Sequence, residues 1–295
     1  MKKVGFWLVK GIAFMISLTP FPLLYLRSDC YYLFLYHLLR YRRKVVRENL
    51  VGSFPEKSSK EIKRIEKQFY RNLCDLAVEI CKMMTMKPET MAQHVHFTNP
   101  ELVQDLYKKG RSYFAAIPHS GNWEWYGKLM HTVSEHKASA IYKKLSNPDF
   151  DALICRLRTN FNLDQEQMIE SQQALRTLVR RKDLVNAILI VADQSPRGVE
   201  SDYWTEFLHR DTCWFYGLER MAKLLDYAVV FVEMKRVRRG YYEVRFELIC
   251  EDPKNMEEGA IMEQYVRHIE RFIDQQPDNW LWSHRRWKHF RKQAS

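Results

Sequence analysis

The stretch Tyr113–Gly127, YFAAIPHSGNWEWYG, gathers a histidine, a serine, an asparagine and a carboxylate behind a short apolar run. An imidazole whose one nitrogen is held by a carboxylate keeps a single tautomer and leaves the other nitrogen free to take a proton from a hydroxyl. His119 and Glu124 are five residues apart, so on one continuous helix they would face different ways. Across a strand–turn–helix junction they can meet. Pro118 ends a strand ladder, Gly121 permits a sharp turn, and Asn122 is a plausible N-cap that places Glu124 in the first helical turn, where the helix dipole favours a carboxylate. Ser120 lies beside the histidine, but the nucleophile elbow GxSxG is missing. His94-Val95-His96 suggests a metal only weakly, because no further ligand cluster has zinc-like spacing, and no metal is expected.

The surrounding pattern predicts the elements that would carry these groups. Short apolar runs at 113–117, 138–142, 185–192 and 228–234 alternate with helical patterning at 151–158 and 214–225. Continuous apolar strands between helices indicate a mainly parallel sheet covered on both faces, and ligands of such sheets bind beyond the carboxyl ends of the strands. Tyr242, Val244, Phe246 and Leu248 alternate with charged residues after Arg239-Gly240, which predicts an antiparallel strand at the sheet's edge. Ser58 and Glu61 have capping-box spacing, and Ile62, Ile65, Phe69, Leu73 and Leu76 recur at helical intervals behind them.

The chain of 295 residues carries 47 Lys and Arg against 36 Asp and Glu, a net +11, with 46% hydrophobic residues. That composition excludes disordered and collagen-like classes and favours an anionic partner. Six scattered cysteines without a CxxC pair fit reduced thiols. From Val4 to Leu26 only Lys10 is charged, a length just sufficient to cross a bilayer as helix, although Lys10, Pro20 and Pro22 weaken a simple span. No small-residue cleavage site follows, which argues against a signal peptide. Aromatics at 31–36 and then Arg40, Arg42, Arg43, Lys44 and Arg47 suit an interface with anionic lipid and place the rest of the chain on the cytoplasmic side. The expected organisation is therefore an N-terminal helical membrane arm over residues 1–45 and one α/β domain over residues 46–295.

IPHSGNWEW resembles the HxxxxE block of the late acyltransferases of lipid A biosynthesis, in the lysophospholipid acyltransferase superfamily. The resemblance continues in KVVRENLVGSFPEKSSKEI, in YKKLSNPDFDALICRLRTNFN with Asn147-Pro148 and Arg156/Arg158, in VADQSPRG, and in PDNWLWSHRRWK. It spans roughly residues 45–288 in the family's order, and it implies a glycerolipid-acyltransferase-like mixed sheet. It also implies an enzyme of the bacterial inner membrane that moves a fatty acyl group from an acyl carrier protein thioester to a hydroxyl of a lipid A precursor. No cofactor is expected, the carrier thioester being a co-substrate. By the same resemblance His119 is the general base and Glu124 orients it. Asn122, Arg156, Arg158 and Asp193 are candidates for binding substrate or the developing oxyanion, with Asp193 alternatively a loop cap. Arg285, Arg286 and Lys288 suit lipid phosphates or the acidic carrier protein, or else form a basic helix face. Trp280, Trp282 and Trp287 read as an acyl path, an interfacial seat or core.

One departure bears on the acceptor. Where the lipid A branch often shows Phe-Gly after the third block, this chain has Glu206-Phe207-Leu208-His209-Arg210. Another lysolipid, aminolipid or glycolipid acceptor is the alternative enzyme reading, and a non-catalytic lipid-binding protein the alternative outside enzymes. Nucleic acid is the least supported partner, since no RNP-like or zinc-finger pattern accompanies the charge.

Overall fold

The computed structural model describes residues 2–159, 167–196, 203–289 and 291. Asn160, Phe161 and Asn162 of the second family-like block, and Arg197-Gly198 of the third, lie outside them. The helices are α1 (Lys2–Ser17), α2 (Phe21–Leu33), α3 (Arg43–Ser53), α4 (Ser59–Lys82), α5 (Pro88–Ala92), α6 (Glu101–Lys108), α7 (Trp123–Leu129), α8 (Pro148–Thr159), α9 (Ala174–Arg180), α10 (Gly217–Leu225) and α11 (Ala260–Gln275). The strands are β1 (Val95–Phe97), β2 (Tyr113–Ile117), β3 (Lys137–Tyr142), β4 (Met168–Glu170), β5 (Asn186–Val191), β6 (Tyr203–Phe207), β7 (Arg210–Trp214), β8 (Ala228–Arg238) and β9 (Tyr241–Cys250).

Seven strands form one sheet in the order β1-β9-β8-β2-β5-β3-β4, parallel throughout except for β8 against β9. Successive side chains leave a strand on opposite faces, and both faces here are covered. Phe114, Ala116, Ile188, Ile190, Val229 and Phe231 pack with residues of α3, α4, α10 and α11. Tyr113, Ala115, Ile117, Leu189, Val230 and Val232 pack with residues of α6, α7 and α8. The expected mainly parallel α/β sheet is thus present. The β9 strand is antiparallel as expected but does not form the edge, because the three-residue β1 pairs outside it. A separate hairpin, β6 and β7, turns through Leu208 and His209, both in the left-handed region. This is where the chain departs from the family's Phe-Gly, and Leu208 is held there by its amide donating to Glu270 Oε1 at 2.7 Å.

The apolar N-terminus is two helices rather than one. The chain breaks after Ser17 and restarts with Pro20 as N-cap and Pro22 within the first turn, because a proline ring clashes with the preceding turn and offers no N–H. With 16 residues, α1 is about 24 Å long, short of the ~30 Å hydrocarbon core. Among the described residues no helix is long and apolar enough to cross a membrane. Both arm helices dock on α4: Ser28 Oγ donates to Asp75 at 2.6 Å, and Lys82 Nζ to the Ser17 and Thr19 carbonyls at 2.7 and 2.9 Å. The other side of the arm is bare, with Trp7 62%, Leu8 64% and Met15 64% exposed. Of the basic run, Arg43 and Arg47 close on the buried Glu66, which leaves fewer cations for a surface than their number suggests.

Candidate active site

The sheet order places the reactive groups. In the parallel β2–β5 pair Ile117 lies opposite Val191, so the residues two positions beyond each strand end, His119 and Asp193, come side by side. His119 Nδ1 lies 2.5 Å from Asp193 Oδ1, and the His119 amide donates to Asp193 Oδ2 at 2.8 Å. The Trp280 indole donates to the same Oδ2 at 2.8 Å. Asp193 is 2% exposed. Burial alone would push its pKa up, but the adjacent His119 imidazole and the three hydrogen bonds outweigh it and hold the carboxyl at about 2. A buried carboxylate at Nδ1 favours the tautomer that carries its proton there. Nε2 is left as acceptor, facing Gln194 Nε2 at 3.2 Å.

Beyond Pro118 the chain reverses at Gly121, whose φ is +57° and where a Cβ would lie 2.7 Å from the Met234 carbonyl oxygen. Only glycine fits both the conformation and the space. Asn122 then caps α7 as expected, its Oδ1 accepting from the Trp125 amide at 3.1 Å. Its Nδ2 donates to Glu79 Oε2 at 2.8 Å. Glu79 is fully buried on α4 and also receives the Tyr25 and Tyr242 hydroxyls at 3.0 and 2.7 Å. Burial pushes its pKa up, against those hydrogen bonds. One α4 carboxylate therefore joins the arm helix α2 to the turn that carries His119.

Glu124 is not the partner of the imidazole. It takes a two-pronged ion pair from Arg158 on α8, Nε to Oε2 at 2.7 Å and Nη2 to Oε1 at 2.5 Å. The carboxylate expected to orient His119 thus orients an arginine, and the position at Nδ1 belongs to Asp193. The physical reason is that register across β2 and β5 brings the two strand ends into contact, while Glu124 lies a full turn away at the start of α7.

His119, Glu124 and Arg158 line one cavity of about 770 Å³, whose walls include Met130, Ile141, Ile154, Leu189, Val191 and Phe215. Its size lies within the ~300–1,000 Å³ range of ligand pockets. The mostly apolar wall with a histidine and an ion pair at one place suits a long aliphatic chain with one reactive end.

The remaining expected site residues divide. Arg158 lines the cavity, whereas Arg156 is exposed on the other side of α8. Both ends of the Asn122 amide are engaged in holding the turn, so its side chain is a structural cap. Ser120 is buried outside the cavity lining. Arg285 and Lys288 are exposed, but Arg286 is only 2% exposed. It lies over the Trp214 ring at 4.2 Å and donates to the Cys213 carbonyl at 2.7 Å, so it is not a surface ligand for phosphate. Burial brings its pKa down to about 10, with the Asp193 charge opposing. His94 is buried and bonded to the Gly240 carbonyl at 2.6 Å, while His96 is exposed. Trp280 and Trp282 are core aromatics, and Trp280 additionally steadies Asp193, a role its side chain shows only in three dimensions.

The family model described as bacterial lipid A biosynthesis acyltransferase matches residues 1–289. No curated protein matches the chain.

Proposed function

The chain belongs to the bacterial lipid A biosynthesis acyltransferase family, and from that premise we propose that it is a membrane-associated O-acyltransferase whose base is His119. In this reading it moves a fatty acyl chain from an acyl carrier protein thioester to a hydroxyl of a lipid A precursor. The observation that carries it is the His119–Asp193 pair at 2.5 Å, with Nε2 turned to an apolar cavity of about 770 Å³.

The cavity takes the acyl chain with the thioester carbonyl near Nε2. His119 removes the proton of the acceptor hydroxyl as that oxygen attacks the carbonyl carbon. The imidazolium that forms is stabilised by the Asp193 carboxylate, as in triads where a buried acid holds the base. The tetrahedral oxyanion develops beside Arg158, which Glu124 fixes by its two-pronged pair. Collapse breaks the carbon–sulfur bond, and the departing carrier thiolate takes the proton from His119. An ester and a free thiol result, with no acyl-enzyme. Glu124 and Asp193 thereby serve two charges of opposite sign in the same transition state.

Membrane association is supported by the arm. Its exposed Trp7, Leu8, Met15, Leu26 and Leu33 form an apolar side that water does not favour. Phe6 of that arm packs on Phe150 of α8, ring centroids 5.2 Å apart, so the arm lies next to the helix that carries Arg158. The exposed Arg285 and Lys288, with the net +11, suit an acidic carrier protein.

The test is transfer from a panel of acyl carrier protein thioesters to a tetraacylated, phosphorylated disaccharide lipid and to simple lysophospholipids, with products identified by mass. Transfer to the disaccharide supports the reading. Transfer only to lysophospholipids moves the acceptor, and no transfer with full lipid binding favours a binding protein.

A further inference from the structure

His119 stands between two openings. On one side is the large apolar cavity, and on the other a narrow crevice that His119 and Trp123 also line. The crevice passes Asn72, Asp278 and Asn279 to Arg236, and these four residues are shared with a further cavity of about 680 Å³. That further cavity is polar and basic where the first is apolar: Arg71, Arg236, Arg238 and Arg239 face it, against Asp29, Asp75 and Asp278. We propose that this basic cavity seats a phosphate group of the acceptor lipid, held chiefly by Arg71 and Arg238, while another part of the headgroup presents its hydroxyl to His119. The inference rests on the acceptor being a lipid, as proposed above, and adds which part of its headgroup the protein reads.

The pairing pattern within the cavity distinguishes a ligand site from a charge network that is complete in itself. Arg239 is closed on Asp29 at 2.8 Å and on Asp75 at 2.6 Å, and Arg236 also pairs with Asp75. Asp278 accepts the Asn72 amide at 2.7 Å. All three carboxylates are therefore engaged. Arg71 and Arg238 are exposed and, among the described residues, neither makes an ion pair. Each instead stacks on a ring, Arg71 over Tyr32 at 5.1 Å and Arg238 over Tyr241 at 3.7 Å. Stacking steadies the guanidinium plane and leaves its N–H edge free, the state from which arginine binds a phosphate by two parallel hydrogen bonds. The rim is preorganised too, because Gln276 exchanges hydrogen bonds with the backbone of Arg236 at 3.1 Å in both directions.

Position supports a lipid-borne phosphate. The arm helix α2 contributes Asp29 to the cavity and Tyr32 to the stack, and the same helix exposes Leu26 and Leu33. An anionic headgroup here has its acyl chains beside an apolar surface.

The test uses the full chain in detergent, a phosphorylated tetraacylated disaccharide lipid, and the same lipid after phosphatase treatment. Binding and acyl transfer are measured for wild type, for Arg71→Glu/Arg238→Glu, for the milder Arg71→Gln/Arg238→Gln, and for Lys63→Glu/Arg64→Glu. The last makes the same charge change two turns away on α4. Wild type is expected to bind the phosphorylated lipid about tenfold or more tighter than the dephosphorylated one. The glutamate pair should abolish that preference, the glutamine pair weaken it, and the distal pair keep it. The inference is overturned if wild type shows no preference, if the Arg71/Arg238 variants retain it, or if the distal pair loses it equally. It is also overturned if the variants raise the KM for the carrier thioester while the lipid preference stands, since the cavity would then read the donor's phosphate. Protection against heating by inorganic phosphate, without any lipid preference, would likewise assign it to a free anion. Binding measured with His119→Ala separates this inference from the proposed activity. A phosphate preference lost in the glutamate pair, with no acyl transfer by wild type, keeps the inference and removes the activity. Acyl transfer by wild type with no phosphate preference does the reverse.

Discussion

Replacing Asp193 by asparagine keeps the shape of the side chain and removes its charge, which makes it the sharpest probe of how His119 works. In the native site both carboxylate oxygens accept: Oδ1 faces Nδ1 at 2.5 Å, and Oδ2 takes the His119 amide and the Trp280 indole, each at 2.8 Å. With Oδ2 replaced by the amide oxygen, the two backbone and indole donors stay satisfied, and the new NH2 group falls opposite Nδ1. An NH2 group donates, so it selects the imidazole with its proton on Nε2, the atom that must be free to act as base. The variant also loses the attraction between imidazolium and carboxylate. Two unit charges ~4 Å apart at an effective dielectric of ~20 attract by about 4 kcal/mol, which corresponds to about a thousandfold in rate. Asp193→Asn is therefore expected to lower kcat about a thousandfold or more, in an acyl-transfer assay with saturating lipid, while thermal unfolding confirms an intact fold. A loss smaller than tenfold, together with full inactivation by Glu124→Gln, would refute the pairing argument and return the orienting role to Glu124.

Other outcomes follow from the same geometry. Glu124→Gln should lower kcat about tenfold to a hundredfold by loosening Arg158. Combined with Arg158→Gln it should cost little more than either change alone, whereas combined with Asp193→Asn the effects should add; a double-mutant cycle reads the difference. Arg286→Gln should lower stability by about 2–4 kcal/mol in chemical denaturation, because a buried cation stacked on Trp214 is disturbed, without changing carrier-protein affinity. Arg285→Glu/Lys288→Glu should do the opposite. Leu8→Asp/Met15→Asp should weaken sedimentation with anionic vesicles by at least about tenfold, since each side chain removes an apolar contact of about 1.5–3 kcal/mol, and should leave the melting temperature nearly unchanged. Burial brings the His284 pKa down to about 4, against an ordinary value near 6.5. As pH falls from about 6.5 to 4, the unfolded chain binds a proton that the folded chain refuses, so stability declines across that window. His284→Gln should flatten the decline in a pH series of denaturation curves.

What the sequence disclosed depended on whether the information was local. The runs around Phe114, Ile188 and Val230 announced buried strands because a sheet covered on both faces makes them apolar throughout. The Ser58–Glu61 capping box and the Asn122 cap were legible because both are closed by residues three apart. The partner of His119 was not legible, because it is set by which strands adjoin. Asp193 follows the β5 strand at the same offset that His119 follows β2, and only the pairing of those strands makes the coincidence a contact. Glu124 drew attention by nearness in sequence. Arg286 reads like its neighbours Arg285 and Lys288 in the sequence because charge carries no mark of burial, and here it lies inside against the Trp214 ring. The strands β1 and β4 are three residues each, too short for a periodic pattern. The role of Glu79 has one trace in the sequence: Glu66, Asp75 and Glu79 all interrupt the buried side of α4, and acids on an otherwise apolar helical stripe mark buried polar contacts.

The proposed reaction depends above all on His119 acting as base on the acceptor hydroxyl, with direct transfer of the acyl group. Mass spectrometry of the lipid after incubation with an acyl carrier protein thioester tests this, with wild type and His119→Ala run in parallel and matched for folding. Wild type should yield a phosphorylated disaccharide lipid bearing one additional ester-linked chain, and His119→Ala none above background. Equal amounts of that product from both proteins would exclude His119 as the base.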